Sequence, residues 1–349
     1  MTEVPSLPTT ERLLEIIARM DGQPILMLVD LVADRFITGS PKRISREAPV
    51  LILTHEEEIM TPGGGANALA NVAALGGNPL PLGIVGDDAN GSLLLEAIQD
   101  LGIDTGGILK RAGFRTPTKT RVLGGGRHSI KQQIVRFDIE DHIELTSEEI
   151  EQFEDQMSNW SGQATVAVLS DYGYGAVSPG LLPKMRQSLG DNGTVLCDSR
   201  YRLGDFAGLD GATPNEEEAE TLLGAPIAET QEQLLAAGSR LVEMLAARFL
   251  LITRGSYGMS LFDNGLCCQI PVHGTDQVAD VTGAGDTVIG SFALALAAGA
   301  SPLEAALIAD YASGVVVMKQ GTATLDRAEL IEATGSDTRP LEESKWAKL

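Results

Sequence analysis

From Ser147 onward the chain alternates between short runs rich in Val, Leu, Ile and Thr and longer stretches with helical spacing. Strand-like runs at 165–170, 194–198 and 249–253 are separated by helical patterns over 148–160, 180–189, 216–223 and 232–247. Strands that alternate with helices are joined by crossovers and build a parallel sheet covered on both faces. The first third begins the same way. A helix over 11–20 precedes a core strand at 25–29, and helices over 65–75 and 92–101 flank a strand at 80–85. A hairpin over 259–272 leads into long apolar helices over 285–298 and 302–319. Two stretches break the pattern. Residues 36–60, and 119–123 with 130–138 across the glycine turn 124–126, are too polar for core strands and are expected to form a small β lid over one end. No repeat or low-complexity linker divides the chain. The expectation is one α/β domain over 1–349, a doubly wound, mainly parallel sheet flanked by helices, with the β lid drawn from about 35–60 and 118–138.

Composition narrows the function. Lys plus Arg total 26 against 48 Asp plus Glu, a formal net charge of -22, which argues against a nucleic-acid groove. It leaves open a small anionic substrate held by a few local donors. Three cysteines, two of them adjacent, make no disulfide framework or metal motif and fit a reducing cytoplasm. Neither an export signal nor an apolar stretch long enough to span a membrane is read from the chain.

The strongest chemical signal is Asp280-Val-Thr-Gly-Ala-Gly-Asp286, at the start of an Ala/Leu-rich helix. Small residues there leave backbone N–H groups free, and with the helix dipole these donors suit a transferred phosphoryl group. Asp286 falls in the first turn, where its carboxylate can accept a hydroxyl proton. A glycine-rich turn with Asp286 merely facing the helix N-terminus is the alternative that spacing leaves open. The second signal is Pro62-Gly-Gly-Gly-Ala-Asn67. Backbone at Gly64 and Gly65 can approach a polyhydroxylated ligand closely, and Asn67 can donate to and accept from hydroxyls. A tight turn packed on the sheet is equally compatible.

Taken together, Gly63-Gly-Gly-Ala-Asn67 and the 280–286 motif resemble the two signatures of the ribokinase-like, or PfkB-type, sugar kinases, over roughly 25–330. The resemblance implies ATP with Mg²⁺, in-line transfer to a hydroxyl, and homodimerisation through the β lid. It puts the base on Asp286 and the anion hole on Gly283, Ala284 and Gly285. An Asn-x-x-Glu element that organises magnesium through water falls on Asn215 and Glu218, whose acidic run also reads as an ordinary helix start. Thr253, Gly255 and Gly258 match a nucleotide-contact turn, and Gly314 lies in a further matched stretch. Asp280 and Thr282 match positions that help to bind a monovalent cation such as K⁺. Asp34 falls where the family has a sugar-binding carboxylate, whereas Asp30, at the strand end, is read as structural.

Further stretches, among them Val29-Asp-Leu-Val-Ala-Asp-Arg-Phe36, Ser170-Asp-Tyr-Gly-Tyr-Gly175 and Gln132-Gln-Ile-Val-Arg-Phe-Asp138, are similar to heptose 7-phosphate kinases of the ADP-heptose pathway. The implied acceptor carries its own phosphate, for which Arg35, Lys119, Arg121, Lys131 and above all Arg136 are candidate cations. Solubility of an exposed sheet is the competing explanation for those charges. Three departures stand out: Val29 where relatives have Gly, Asp310 where they have Asn, and the turn Gly124-Gly-Gly-Arg-His128. No His-x-Gly-His signature of a nucleotidyltransferase is present, so adenylylation is expected of another protein. Rival readings are a PfkB-type kinase for another sugar, sugar phosphate or nucleoside, and a catalytically inactive sugar-binding regulatory protein. A dinucleotide oxidoreductase is disfavoured because its fingerprint is missing after the first strand.

Overall fold

The run Pro24–Val29 (β1) is apolar along its whole length, so it needs cover on both sides of a sheet. It has that cover in the computed structural model, which describes residues 4–126, 131–227, 230–274 and 279–349. Ile25, Met27 and Val29 enter one core cluster, and Leu26 and Leu28 enter the other.

The further strands, in chain order, are β2 (Leu31–Ile44), β3 (Leu51–Gly64), β4 (Asn78–Gly86), β5 (Ile108–Arg111), β6 (Thr118–Gly124), β7 (Gln132–Ile139), β8 (Val166–Asp171), β9 (Thr194–Ser199), β10 (Gly211–Ala212), β11 (Phe249–Thr253), β12 (Met259–Asp263), β13 (Leu266–Ile270) and β14 (Lys345–Lys348). The helices are α1 (Thr10–Arg19), α2 (Gly65–Ala74), α3 (Ala89–Asp100), α4 (Ser147–Asn159), α5 (Leu182–Leu189), α6 (Glu216–Leu223), α7 (Gln231–Leu245), α8 (Ala284–Ala297), α9 (Pro302–Val316), α10 (Arg327–Ser336) and α11 (Arg339–Glu343). Helices α4, α6, α7, α9 and α10 each begin with a capping box, a Ser, Thr, Asn or Asp answered three residues later by Glu or Gln.

Ten strands form the main sheet in the order β14-β13-β12-β11-β10-β9-β8-β1-β4-β5. Pairing is parallel from β11 across to β5 and antiparallel from β11 to β14. Strand order runs outward in opposite directions from the β8–β1 boundary. The carboxyl ends of those two strands therefore meet at a topological switch point, where ligands bind in open α/β sheets. Helices α1, α2, α8 and α9 bury their apolar sides in one cluster, and α4, α5 and α7 in the other.

A second sheet, β3-β2-β6-β7, stands apart from the first. Its strands begin earlier than the residue pattern suggested, because Leu31, Val32 and Ala33 are buried and continue from β1 with only Asp30 between. Register sets Lys119 opposite both Asp34 and Asp138, and Arg121 opposite both Phe36 and Arg136. Alternation along each strand gathers these six side chains on one face. Strands β5, β10 and β14 and helices α10 and α11 were not anticipated. The first two are four and two residues long, too short to show a period. Ile130, at the start of the expected 130–138 strand, and Arg127 and His128 of the glycine turn lie outside the described residues.

Helix α7 places Gly238 against β12, where an added Cβ would come within 2.1 Å of the Phe262 ring. Gly238→Ala gains about 1 kcal/mol of helix propensity. Overpacking a closed core costs about 1–3 kcal/mol. The variant is expected to unfold at lower urea than the parent; a raised midpoint would mean that the ring yields freely.

Candidate active site

Gly283 caps the start of α8 and adopts a left-handed conformation with φ 82°. A Cβ there would also lie 2.5 Å from Asn67 Nδ2, so both backbone and space call for glycine. The turn is fastened from within. Asp280 accepts from the Thr282 amide at 2.9 Å and hydroxyl at 2.7 Å through Oδ1, and from the Gly321 amide at 3.0 Å through Oδ2. Of the three amides expected to form an anion hole, that of Ala284 donates to the Val281 carbonyl at 3.2 Å. Those of Gly283 and Gly285 have no protein acceptor among the described residues.

Asp286 follows in the first turn and is buried, at 2% exposure. Its two oxygens are held separately: Tyr172 donates its hydroxyl to Oδ1 at 2.8 Å, and Asn67 donates its amide to Oδ2 at 2.9 Å. Burial pushes this carboxyl up to about 7, against the pull of those two hydrogen bonds, and the charge on Asp34 adds to the rise. Asn67 is fixed in turn by Asn71, which donates to its side-chain oxygen at 3.3 Å and accepts from Thr287 at 2.9 Å. Asn67 thus holds the carboxylate with the amide that sequence assigned to acceptor hydroxyls. A base near neutrality, fixed on both oxygens, is suited to taking a proton from a hydroxyl.

Two hollows meet at the start of α8, and Asp286 lines the second of them. One, of about 220 Å³, is mainly apolar and is lined by Gly255, Gly258, Met259, Val272, Asp310 and Gly314, among others. The other is a polar cleft lined by Asp198, Arg200, Asn215, Glu218, Tyr172 and Asp286, among others. Thr253, Val281, Ala284 and Gly285 border both, so the start of α8 forms the partition. At the mouth of α6, Asn215 accepts from the Glu218 amide, and Glu218 from the Asn215 amide, both at 2.9 Å. The acidic run is therefore a helix cap and part of the cleft wall at once. Burial raises the carboxyls of both Asp198 and Glu218, and their mutual repulsion adds to the rise at Asp198. Asp310 is buried with Oδ2 accepting from the His273 amide at 2.9 Å and Oδ1 without any partner among the described residues, so burial raises its carboxyl strongly.

On the acceptor side Asp34 is buried and ion-paired to Arg121. Gly63 makes room for it, since a Cβ there would lie 2.6 Å from Asp34 Oδ2. Gly64, at φ 53°, packs on Val32, and Gly65 donates its amide to the Asp30 carbonyl at 3.1 Å. Asp30 itself accepts three amides, from Tyr172, Tyr174 and Ala176, each at 2.9 Å. Arg136 lies at the rim of the small sheet, paired to Asp138. Arg35 pairs with Glu58 and Lys131 with Glu56, both on exposed parts of that sheet. Sequence reasoning missed Tyr172, Asn71, Asp198 and Arg200. A tyrosine one residue beyond a strand that ends at the switch point was the available signal for the first.

A neutral-range base with free amides beside it, at the carboxyl ends of a doubly wound sheet, defines a phosphotransferase acting on a hydroxyl. Residues 26–328 match the pfkB family of carbohydrate kinases. The chain belongs to that family of carbohydrate kinases. Among curated proteins it is similar to bifunctional protein HldE of Mesorhizobium japonicum, 36% identical over 93% of this chain and 65% of that one. The same protein of Pelobacter propionicus is 38% identical over 88% of this chain and 62% of its own length. The chain thus spans less than two thirds of these relatives. Among solved structures, Arabidopsis thaliana ribokinase complexed with ribose and ATP superposes with a TM-score of 0.70 at 21% identity, covering 90% of this chain and 100% of that one. Phosphofructokinase-2 from Escherichia coli gives 0.71 at 19% identity, covering 90% and 98%. These last two establish the ribokinase-like fold alone.

A base at Asp286 would have to be ionised to accept a proton, so its expected signature is turnover that falls as pH drops below about 7. Tyr172→Phe removes a donor to the ionised form and so raises that pKa. The acid limb of kcat/KM should move to higher pH, by about 1 unit if the lost bond has the usual strength. An unmoved limb would refute the pairing.

Proposed function

We propose that this kinase transfers the γ-phosphate of ATP to the anomeric hydroxyl of D-glycero-D-manno-heptose 7-phosphate, giving a 1,7-bisphosphate for an ADP-heptose pathway. The observation that carries the reading is Asp286, a buried carboxylate gripped by Asn67 and Tyr172 at the switch point. The acceptor oxygen bonds to the γ-phosphorus, the bond from that phosphorus to the β–γ bridging oxygen breaks, ADP leaves, and the hydroxyl proton passes to Asp286. The Gly283 and Gly285 amides stabilise the transferring phosphoryl group.

The apolar hollow at Gly255, Gly258 and Gly314 takes the nucleobase, and the cleft takes the phosphates. Asp198 and Glu218, two half-buried carboxylates whose charged forms are disfavoured, fit a Mg²⁺ that also uses substrate phosphates. Bound there, the ion would neutralise charge on the β- and γ-phosphates. The loop at Asp280 and Thr282 is the candidate edge of a monovalent-cation site, although its side chains are already bonded to each other and to Gly321. The small sheet serves as a lid that excludes water, with Asp34, Gly64 and Gly65 on the acceptor. The whole chain acts as one domain. Three free cysteines support a reducing cytoplasmic setting.

The heptose assignment rests on the stretches around Val29–Phe36, Ser170–Gly175 and Gln132–Asp138 and is supported by the likeness to HldE proteins. Purified protein should consume ATP with heptose 7-phosphate in preference to fructose phosphates, ribose or nucleosides, with phosphate appearing at the anomeric carbon. Asp286→Asn should lose turnover by orders of magnitude while still binding ATP. Preference for another acceptor would discard the heptose assignment, and wild-type turnover in Asp286→Asn would discard the base.

The lid also supports a homodimer. Val135 and Phe137 are 49% and 52% exposed on the face of β7 opposite Lys119 and Arg121. The parent should sediment as a dimer and Phe137→Glu as a monomer; identical sedimentation of the two would place any dimer contact elsewhere.

A further inference from the structure

Asp310, on α9, is a buried carboxyl that phosphoryl transfer does not use. It is 1% exposed and borders the apolar hollow. Asp286 has two side-chain donors and Asp30 three amides, whereas Asp310 accepts only the His273 amide, at 2.9 Å through Oδ2. Its Oδ1 is closed off and has no partner among the described residues. An ionised carboxylate in that position gives up its hydration and recovers a single hydrogen bond. The un-ionised acid loses far less, and its carbonyl oxygen still accepts the amide.

The surrounding charges do not reverse this. Among the described residues, those that bear on Asp310 are Asp337, which opposes its ionisation, and Arg339, which favours it. Arg339 is also bonded to Asp337 and to the Gly274 carbonyl, each at 2.7 Å. The His273 ring has Nδ1 2.9 Å from Asp337 Oδ2, and the neighbouring Tyr311 donates its hydroxyl to the Asp337 carbonyl at 2.6 Å. Burial is the largest influence and, with Asp337, holds the Asp310 carboxyl well above the usual range.

The segment that Asp310 holds is a wall of the hollow. Val272 and His273 line it together with Gly314 of α9, where an added Cβ would come within 2.7 Å of the His273 carbonyl. The wall thus packs directly on α9, and the bond to Asp310 joins the two. An ionised Asp310 can be satisfied only by drawing water or a cation into this apolar space, where a flat heteroaromatic ring would otherwise lie. We propose that Asp310 is a positioning residue that keeps the hollow dry and its wall seated only while un-ionised, so that nucleotide binding weakens as pH rises. The inference rests on the reading that this hollow takes the nucleobase.

Asp310→Asn keeps the volume and an oxygen for the His273 amide while removing the titration. ATP binding is measured without acceptor from about pH 6 to about pH 9, with inorganic tripolyphosphate as a probe that has no base. In the parent, affinity for ATP relative to tripolyphosphate should fall at least about tenfold across that range, the equivalent of one pKa unit. In Asp310→Asn the ratio should stay level. A level ratio in the parent, or an equal fall in the variant, overturns the inference. Failure of the nucleobase reading looks different: ATP then binds no more tightly than tripolyphosphate at any pH in either protein, and measurements without ligand decide. A carboxyl whose pKa is raised by folding costs more stability as pH climbs from its unfolded to its folded value. The thermal midpoint of Asp310→Asn should therefore exceed that of the parent by a margin that widens with pH. The His273 amide should also exchange faster in the parent than in the variant at the alkaline end. A constant margin with matching exchange overturns the role of Asp310 whatever the hollow binds.

Discussion

Much of this molecule is organised by the requirement that one carboxylate be buried and still ionise near neutral pH. Asp286 reaches that condition because donors arrive from two directions, Asn67 from α2 and Tyr172 from the end of β8. Remove burial and the group would titrate with ordinary surface carboxylates; remove the donors and it would remain protonated. The chain Thr287–Asn71–Asn67 then locks α2 to α8 by side-chain bonds, and the space at Gly283 is what lets the two helices come so close. The two glycine-rich motifs, more than two hundred residues apart in sequence, are thus halves of one device.

Electrostatics follow the same local logic against an unfavourable background. The net charge of -22 repels a polyanionic substrate at a distance, so affinity must come from contacts made inside the cleft. On the small sheet, arginines neutralise Asp34 and Asp138, and Lys119 makes no ion pair with a described residue. Surface ion pairs such as Arg35–Glu58 contribute little and belong to the solvated exterior.

The parallel sheet and its helices were legible because β1, β8, β9 and β11 are apolar runs separated by amphipathic stretches whose caps carry their own signals. The position of Asp286 in a first helical turn was legible for the same reason. What holds it was not. Tyr172 and Asn71 act through contacts between segments distant in the chain, and a single tyrosine or asparagine carries no pattern. The same limit applies to Asp198, an acidic residue near a strand end that could as well cap a turn. Sequence ranked Arg136 above Lys119 among the candidate cations, and only register, which pairs the other four groups, shows that the charge left over on that sheet face is that of Lys119. The short strands β5 and β10 exist because neighbours complete them, which no local reading can supply.

Asp30 is the only residue between the last strand position of β1 and the first of β2, and its carboxylate is clamped by three amides of the 172–176 turn. That turn also carries Tyr172. The small sheet is therefore no detachable accessory on a flexible tether. It is an extension of the central strand, anchored in the same loop that donates a hydrogen bond to Asp286. Exchanging this sheet with that of a related protein, as an engineer seeking a new acceptor would wish to do, transplants one side of a shared joint. Such a graft keeps the sheet's placement over the cleft only if the Asp30 crossing and the loop beneath it travel together.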